Sequence, residues 1–279
     1  MDTATTQLLC ELNNEFYTQV SESFSATRQS PWNGWRTCAH MLQEHMTSRT
    51  SMLVADHESE ECEEAAPEPL TVTDIACGNL RFESFLTSEF EGQPLQIFSL
   101  DDCESLLPDE IQNQVTFQRL DVVDALMHGE GTVAESVQAP LADAVVSYGF
   151  MHHIPGVALR ERFLRELLAM TKPGGLVMVS LWQFMNNETL ARKAAVTHQA
   201  ALADLPSRGL DASKLDEGDY FLGWKDTVGI YRYCHHFTRE EVEHVVRSVS
   251  DEAEVVSVFD ADGRTDNLNC YVVLRKRSE

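Results

Sequence analysis

An α/β fold, built on a mostly parallel seven-stranded sheet with helices on both faces, is predicted by three observations. Short apolar runs at 70–76, 95–101, 115–120, 144–148 and 176–182 alternate with segments of helical period. The first three runs carry an acid at or beside their ends, Asp74, Asp101 and Asp121, and the first passes into a tight turn of small residues, Ala76-Cys77-Gly78. Two further strand-like runs, 254–259 and 269–274, close the chain as a pair and bring the count to seven. Alternation at this spacing gives parallel strands joined through helices packed on the sheet.

Residues 7–24 place Leu8, Leu9, Leu12, Phe16, Val20 and Phe24 largely three and four apart, which makes an amphipathic helix. An elbow follows, with Arg28, Trp32 and Trp35 around Pro31 and Gly34, and a second helix covers about 35–50. The indoles either pack the helix pair or face a ligand, whereas Arg28 is hard to explain as core. Residues 1–54 thus read as an N-terminal helical cap. The stretch 55–69 holds seven acids and two prolines and reads as a solvated linker.

The main domain, 70–279, opens with strand 70–76, and Asn79 is placed to start a helix over about 79–89. Strand 95–101, a helix at about 103–112, strand 115–120 and a polar, helix-prone segment to about 138 follow. Next come strand 144–148 and a helix at about 157–171, with Leu159, Phe163, Leu164, Leu167, Leu168 and Met170 in period. Residues 171–175, Thr-Lys-Pro-Gly-Gly, read as a turn before strand 176–182. An insertion over about 184–237 interrupts the pattern with a helical stretch at 186–204 and two aromatic segments at 218–224 and 230–236. Thr238 and Glu241 then stand three apart, as at the start of a capped helix.

The 21 Lys and Arg against 45 Asp and Glu give a net charge of −24, which repels phosphate backbones. Binding to a nucleic acid would need a local basic patch or a basic partner. Seven cysteines without a Cys-x-x-Cys pair argue against a disulfide framework or a zinc ribbon and suit reduced thiols in a cytosol. The N-terminal Met-Asp-Thr-Ala-Thr-Thr lacks the basic and apolar regions of a signal peptide, so a cytoplasmic protein is expected. No apolar run approaches the roughly 20 residues that span a bilayer, so no membrane role is expected.

Three acids in register at consecutive strand ends suit a nucleoside ligand with an amino-acid tail. Asp74 would hold an ammonium, Asp101 both ribose hydroxyls, and Asp121 an adenine amino group beside the Val122 N–H. Each acid taken alone is more often a helix cap or a plain loop residue; the three in register carry the reading.

These strings carry a resemblance. Thr73-Asp-Ile-Ala-Cys-Gly-Asn-Leu-Arg-Phe82, Leu100-Asp101-Asp-Cys-Glu104, Gln118-Arg-Leu-Asp121-Val-Val123, and Tyr148-Gly-Phe-Met-His-His-Ile-Pro155 with Thr171-Lys-Pro-Gly-Gly175 resemble the successive motifs of class I S-adenosylmethionine-dependent methyltransferases. More narrowly, Phe24-Ser-Ala-Thr-Arg28 with Pro31-Trp32, Met151-His-His-Ile-Pro155 and Tyr231-Arg-Tyr-Cys-His-His-Phe-Thr238 resemble the tRNA wobble-uridine carboxymethyl methyltransferases and their bacterial relatives. The resemblance implies a Rossmann-like fold and S-adenosyl-L-methionine as cofactor, held by Asp74, Ala76, Gly78, Asn79, Arg81, Asp101, Asp102, Asp121, Val122 and Tyr148. It implies methyl transfer to a tRNA-type RNA or a small carboxylate. Arg28, Trp32, Tyr231, Arg232, His235 and His236 would form the acceptor side, with Arg28 and Arg232 clamping an anion.

His152 and His153 are the catalytic candidates, as general bases for an amine or hydroxyl acceptor; a carboxylate acceptor needs none. No third ligand at helical spacing accompanies His235 and His236, so no metal is expected; the pair walls the acceptor pocket or packs the insertion. The family's first and third motif glycines are Ala76 and Leu80 here. A negative φ at residue 76 would accommodate the alanine, and residue 80 could face away from the ligand. A non-catalytic binding or scaffold protein on the same fold is the alternative. A dehydrogenase ranks below both, because the turn lacks Gly-x-Gly-x-x-Gly.

Overall fold

Strand β1, Leu70–Ile75, is buried along its whole length, as a strand covered on both faces must be. The computed structural model that shows this describes residues 1–28, 30–56, 68–128, 131–225 and 227–278. Most of the acidic stretch read as a linker, 57–67, lies outside the described residues.

The chain begins with α1, Thr3–Ser25, and α2, Asn33–Asp56. After β1 come α3, Arg81–Glu89; β2, Leu95–Asp101; β3, Val115–Arg119; α4, Val122–His128; and α5, Val133–Ser136. Then follow β4, Ala142–Ser147; α6, Val157–Ala169; β5, Thr171–Trp182; α7, Glu188–Asp204; β6, Asp219–Leu222; and β7, Arg232–His235. α8, Arg239–Arg247, leads into β8, Ala253–Ala261, and β9, Asn269–Lys276.

Seven strands form one sheet in the order β3-β2-β1-β4-β5-β9-β8. β1 to β5 pair in parallel, and β9 enters antiparallel between β5 and β8. The strand order reverses between β1 and β4, which opens a crevice beyond their carboxyl ends. Alternate side chains feed the two faces. Ile75, Val145, Val177 and Val272 pack with α4, α6 and α8 on one side, and Val72, Ala144, Met178 and Tyr271 with α2 and α3 on the other.

The two N-terminal helices go to different places. α2 lays Trp35, Cys38, Ala39 and Leu42 on the sheet. α1 instead packs Leu8, Leu9 and Leu12 against α7 and the β6–β7 pair, through Ala201, Leu205, Phe221 and Tyr233. Two polar ties hold it there: Tyr233 N donates to Asn13 Oδ1 (2.7 Å), and Trp224 Nε1 donates to Ser23 Oγ (2.8 Å).

Three local expectations change. The helix expected over 103–112 is a single 3-10 turn, Glu104–Leu106. Pro108 explains the stop, because it forces Leu107 to extended angles, φ −65° and ψ 146°. The Thr-Lys-Pro-Gly-Gly turn is a bulge inside β5: Thr171 pairs with Ala142 and Leu176 with Ala144, so four residues face one. The two aromatic segments are antiparallel strands, with Phe221 opposite Tyr233. Among the described residues, no helix is long and apolar enough to cross a membrane.

Candidate functional site

The turn between β1 and α3 is left-handed three times over. Ala76, Gly78 and Leu80 have φ of +65°, +60° and +54°. The expectation of a negative φ at residue 76 is therefore corrected. Ala76 and Cys77 both donate to Leu100 O, at 2.7 and 3.0 Å, and these bonds to β2 hold the strained alanine in place. Leu80 is buried among Trp35, Phe82 and Phe85, away from the crevice. Gly78 has open space where a Cβ would stand, and its N–H donates to Asp101 Oδ2 at 2.9 Å.

Asp74, Asp101, Asp102 and Asp121 line one cavity of about 1290 Å³, together with Ala76, Gly78, Asn79, Arg81, Val122 and Tyr148. Asp74 is only 3% exposed, and its Oδ1 has no hydrogen-bond partner. Burial, then the neighbouring Glu83, raises its carboxyl well above the ordinary range. Asp101 is also raised by burial, against the N–H groups of Cys103 and Gly78. Asp102 is pushed up to about 6 by burial and by Asp121. Asp121 Oδ1 accepts from Asp124 N at 2.9 Å and so caps α4, while Oδ2 accepts from Asn14 of α1 at 3.3 Å.

Asn79 Nδ2 donates to Arg28 O (3.3 Å) and Arg81 Nη1 to Ser30 O (3.0 Å), tying the turn to the elbow between α1 and α2. Arg81 also stacks over Trp35 and Trp32, at 4.7 and 5.1 Å. The Tyr148 hydroxyl donates away from the cavity, to Met178 Sδ at 3.5 Å.

Arg28, Trp32, His152, His153 and Arg232 also line this cavity. Arg28 lies 3.3 Å from the Phe24 ring centroid, and burial, then the like charge of Arg232, lowers it to about 10. Arg232 is 5% exposed, with its Nε buried and unpartnered. Among the described residues neither guanidinium joins an ion pair, whereas Arg160, Arg208 and Arg275 do.

Arg232 Nη1 donates to Tyr17 Oη at 3.0 Å, and Tyr17 Oη lies 2.8 Å from His153 Nε2. His153 Nδ1 lies 2.9 Å from Tyr233 O, an acceptor only. One tautomer satisfies the chain: Nδ1 carries the proton and Nε2 accepts from Tyr17. Burial, then Arg232, lowers His153 to about 3, and burial, then His153, lowers His152 well below its ordinary value. His152 packs on Trp182 at 4.9 Å, with Nδ1 buried and unpartnered.

His152, His153 and Cys234 have potential metal-ligating atoms within 4.8 Å of one another. Both His153 nitrogens are engaged, burial holds the Cys234 thiol at about 12, and Arg232 stands beside it, so the trio is a poor cation site.

Tyr231, His235 and His236 do not line the cavity. The Tyr231 hydroxyl donates to Asp204, on the far side of β7. His235 is fully buried, between Asp219 Oδ1 at 2.8 Å and Glu241 Oε1 at 2.9 Å. His236 packs on Phe184. Strand alternation accounts for two of them: with Arg232 turned to the cavity, Tyr231 and His235 face the other way. Sequence reasoning missed Glu83, which is 1% exposed behind Asp74. Helical period carried the signal, since Glu83 shares the buried face of α3 with Phe82 and Leu86.

No protein-family model matches the chain. Over 169 residues, 61% of this chain, it is 25% identical to the tRNA (carboxymethyluridine(34)-5-O)-methyltransferase ALKBH8 of Mus musculus, covering 19% of that protein. Over 181 residues, 65% of this chain, it is 24% identical to the same enzyme of Macaca fascicularis, covering 21% of it. The chain thus spans about a fifth of the length of the curated relatives it matches. A SAM-dependent methyltransferase structure from Methanosarcina mazei superposes with a TM-score of 0.51 at 18% identity, over 77% of this chain and 95% of that one. The chain has the Rossmann-like fold of S-adenosylmethionine-dependent methyltransferases.

Proposed function

We propose that the protein is an S-adenosylmethionine-dependent methyltransferase whose acceptor atom is a carboxylate oxygen. The observation that carries the acceptor class is the pair Arg28 and Arg232, two guanidinium groups on the cavity wall without an ion pair among the described residues. A buried guanidinium without a counter-ion is costly, and an acceptor anion removes that cost.

The cofactor side fits the same reading. The unpaired buried oxygen of Asp74 suits an ammonium, and the open backbone at Gly78 allows close approach. In this reading Asp101 takes the ribose hydroxyls, and Asp121 with the Val122 N–H takes the base. S-adenosylmethionine supplies a methyl group already activated on a sulfonium, so an acceptor carboxylate needs no proton removed.

The chain's own work is then to bind, orient and exclude water. Arg28 and Arg232 hold the anion. Tyr17 fixes Arg232, and His153 fixes Tyr17. His153 is accordingly a positioning residue, and His152 with Trp182 forms an aromatic wall.

The activity of the two mammalian relatives favours a second reading, a carboxylate carried on tRNA. A charge of −24 opposes it unless a basic partner helps.

Calorimetry with S-adenosylmethionine and with NAD tests the cofactor. Binding of the first alone, weakened at least about tenfold by Asp101→Ala, is expected. No affinity, with Asp101→Ala changing nothing, overturns the reading. Arg28→Gln should leave cofactor affinity in place and lower acceptor kcat/KM by about 10–100-fold, the worth of a charged hydrogen bond.

A further inference from the structure

Glu83 is a buried carboxyl that the account of the cavity has not used. It rises from the first turn of α3, and Ser99 Oγ donates to its Oε1 at 2.6 Å, which fixes where it points. Its Oε2 is buried without a donor, as is Asp74 Oδ1. The two carboxyl groups are neighbours, each perturbing the other. Two ionised carboxylates offer only acceptors, so one proton between them is what satisfies both.

The groups around the pair supply no positive charge. Asp101 and Ser99 face it from β2, Cys77 from the turn, and Tyr148 from the end of β4. Arg81, on the same helix, turns outward to Ser30 O and the indoles of Trp32 and Trp35.

We infer that Asp74 and Glu83 form one carboxyl dyad that holds a single proton in the ligand-free protein and releases it when the ligand's ammonium arrives, Glu83 being a positioning residue for Asp74. This rests on reading the cavity as the S-adenosylmethionine site. Burial pushes Glu83 up to about 7 and Asp74 well above its ordinary value, in line with a retained proton. The sign follows. A cation favours the ionised dyad, so affinity climbs as pH rises toward the dyad's titration and levels off above it. No covalent bond changes; one proton passes to solvent as one ammonium enters.

The test is calorimetry of the full chain in buffers of different ionisation enthalpy, from about pH 5.5 to about 7, below the range where an α-amino group itself titrates. S-adenosylhomocysteine, which carries the ammonium, should release about 0.5–1 proton, with affinity rising up to about tenfold per pH unit. 5′-Methylthioadenosine, which lacks the amino-acid tail, should release none. Glu83→Gln, whose amide donates to Asp74 permanently, should flatten the pH dependence.

Binding of S-adenosylhomocysteine without proton release overturns the inference alone. So does equal release by the two ligands, since the proton then comes from elsewhere, such as Asp102. No binding at any pH overturns the reading of the cavity first. The two-ligand comparison uses the unaltered protein, so it stands even where Glu83→Gln fails to fold.

Discussion

Ala76 and Leu80 share a left-handed backbone, yet they answer differently to the same substitution. Ala76, at φ +65°, buries little side chain, so Ala76→Gly removes strain and gives back only some unfolded-state entropy. A gain of about 1 kcal/mol is expected, a rise of about 2–4 °C in Tm. Leu80, at φ +54° and 3% exposed, also fills a core, so Leu80→Gly should lose about 2–4 kcal/mol despite the relief of strain. Urea denaturation of both variants checks the pair; a loss of stability in Ala76→Gly contradicts the strain account. At this scale the acids were legible because Asp74, Asp101 and Asp121 stand at strand ends, where position alone predicts the site. Glu83 was missed, because a glutamate in the first turn of a helix reads first as a dipole partner facing water, and only its period with Phe82 and Leu86 says otherwise. The tautomer of His153 was equally hidden, since it depends on Tyr17 and Tyr233, far away in sequence.

The β6–β7 pair is the element on which the acceptor wall depends. Its strands were visible only as aromatic segments, because four-residue strands are too short for alternation to be counted. A polar knot fastens them to the body. His235 spans Asp219 and Glu241, Tyr233 Oη donates to Asp219 Oδ1 at 2.7 Å, and Arg160 Nη2 donates to Tyr233 Oη at 2.9 Å. His235→Ala takes one donor from the buried Asp219, which keeps Tyr233 Oη, the Asp216 N–H and the Arg160 guanidinium, and a loss of about 1–3 kcal/mol is expected in urea denaturation. A change near zero would mean that the knot does not hold the pair. Acid should loosen it too. Burial raises Glu241, but the hydrogen bond from His235 and the further contacts with Thr238 and His235 together outweigh this and set it at about 2. A depressed carboxyl contributes above its unfolded value of 4.5, and that contribution disappears as pH falls toward 2. Helix α1 spans the same region. Its amphipathic period was plain in the sequence, but its destination was not, since the partner surface is assembled from α7 and β6–β7.

Across the whole molecule, the parallel sheet was legible from alternation, and the strand order places the switch point beside the Asp74 turn. What alternation does not contain is the meeting of Arg28, before α2, with Arg232, in β7, two residues 204 positions apart that approach through the packing of α1. That meeting gives a chain of charge −24 a local positive site on the cavity wall. The account therefore predicts a protein that repels polyanions in general and accepts one carboxylate in particular.

The chemistry of the transferred methyl tests this most directly. Protein is incubated with methyl-tritiated S-adenosylmethionine and, separately, bulk tRNA, cellular protein and a small-metabolite extract, and the labelled fraction is treated with mild alkali. A methyl ester is hydrolysed and yields volatile tritiated methanol, whereas methyl groups on nitrogen or on a hydroxyl oxygen stay in place. The account predicts label that alkali releases, lost in Arg28→Gln and retained in His236→Ala. Alkali-stable label, or cofactor binding without transfer to any fraction, contradicts it.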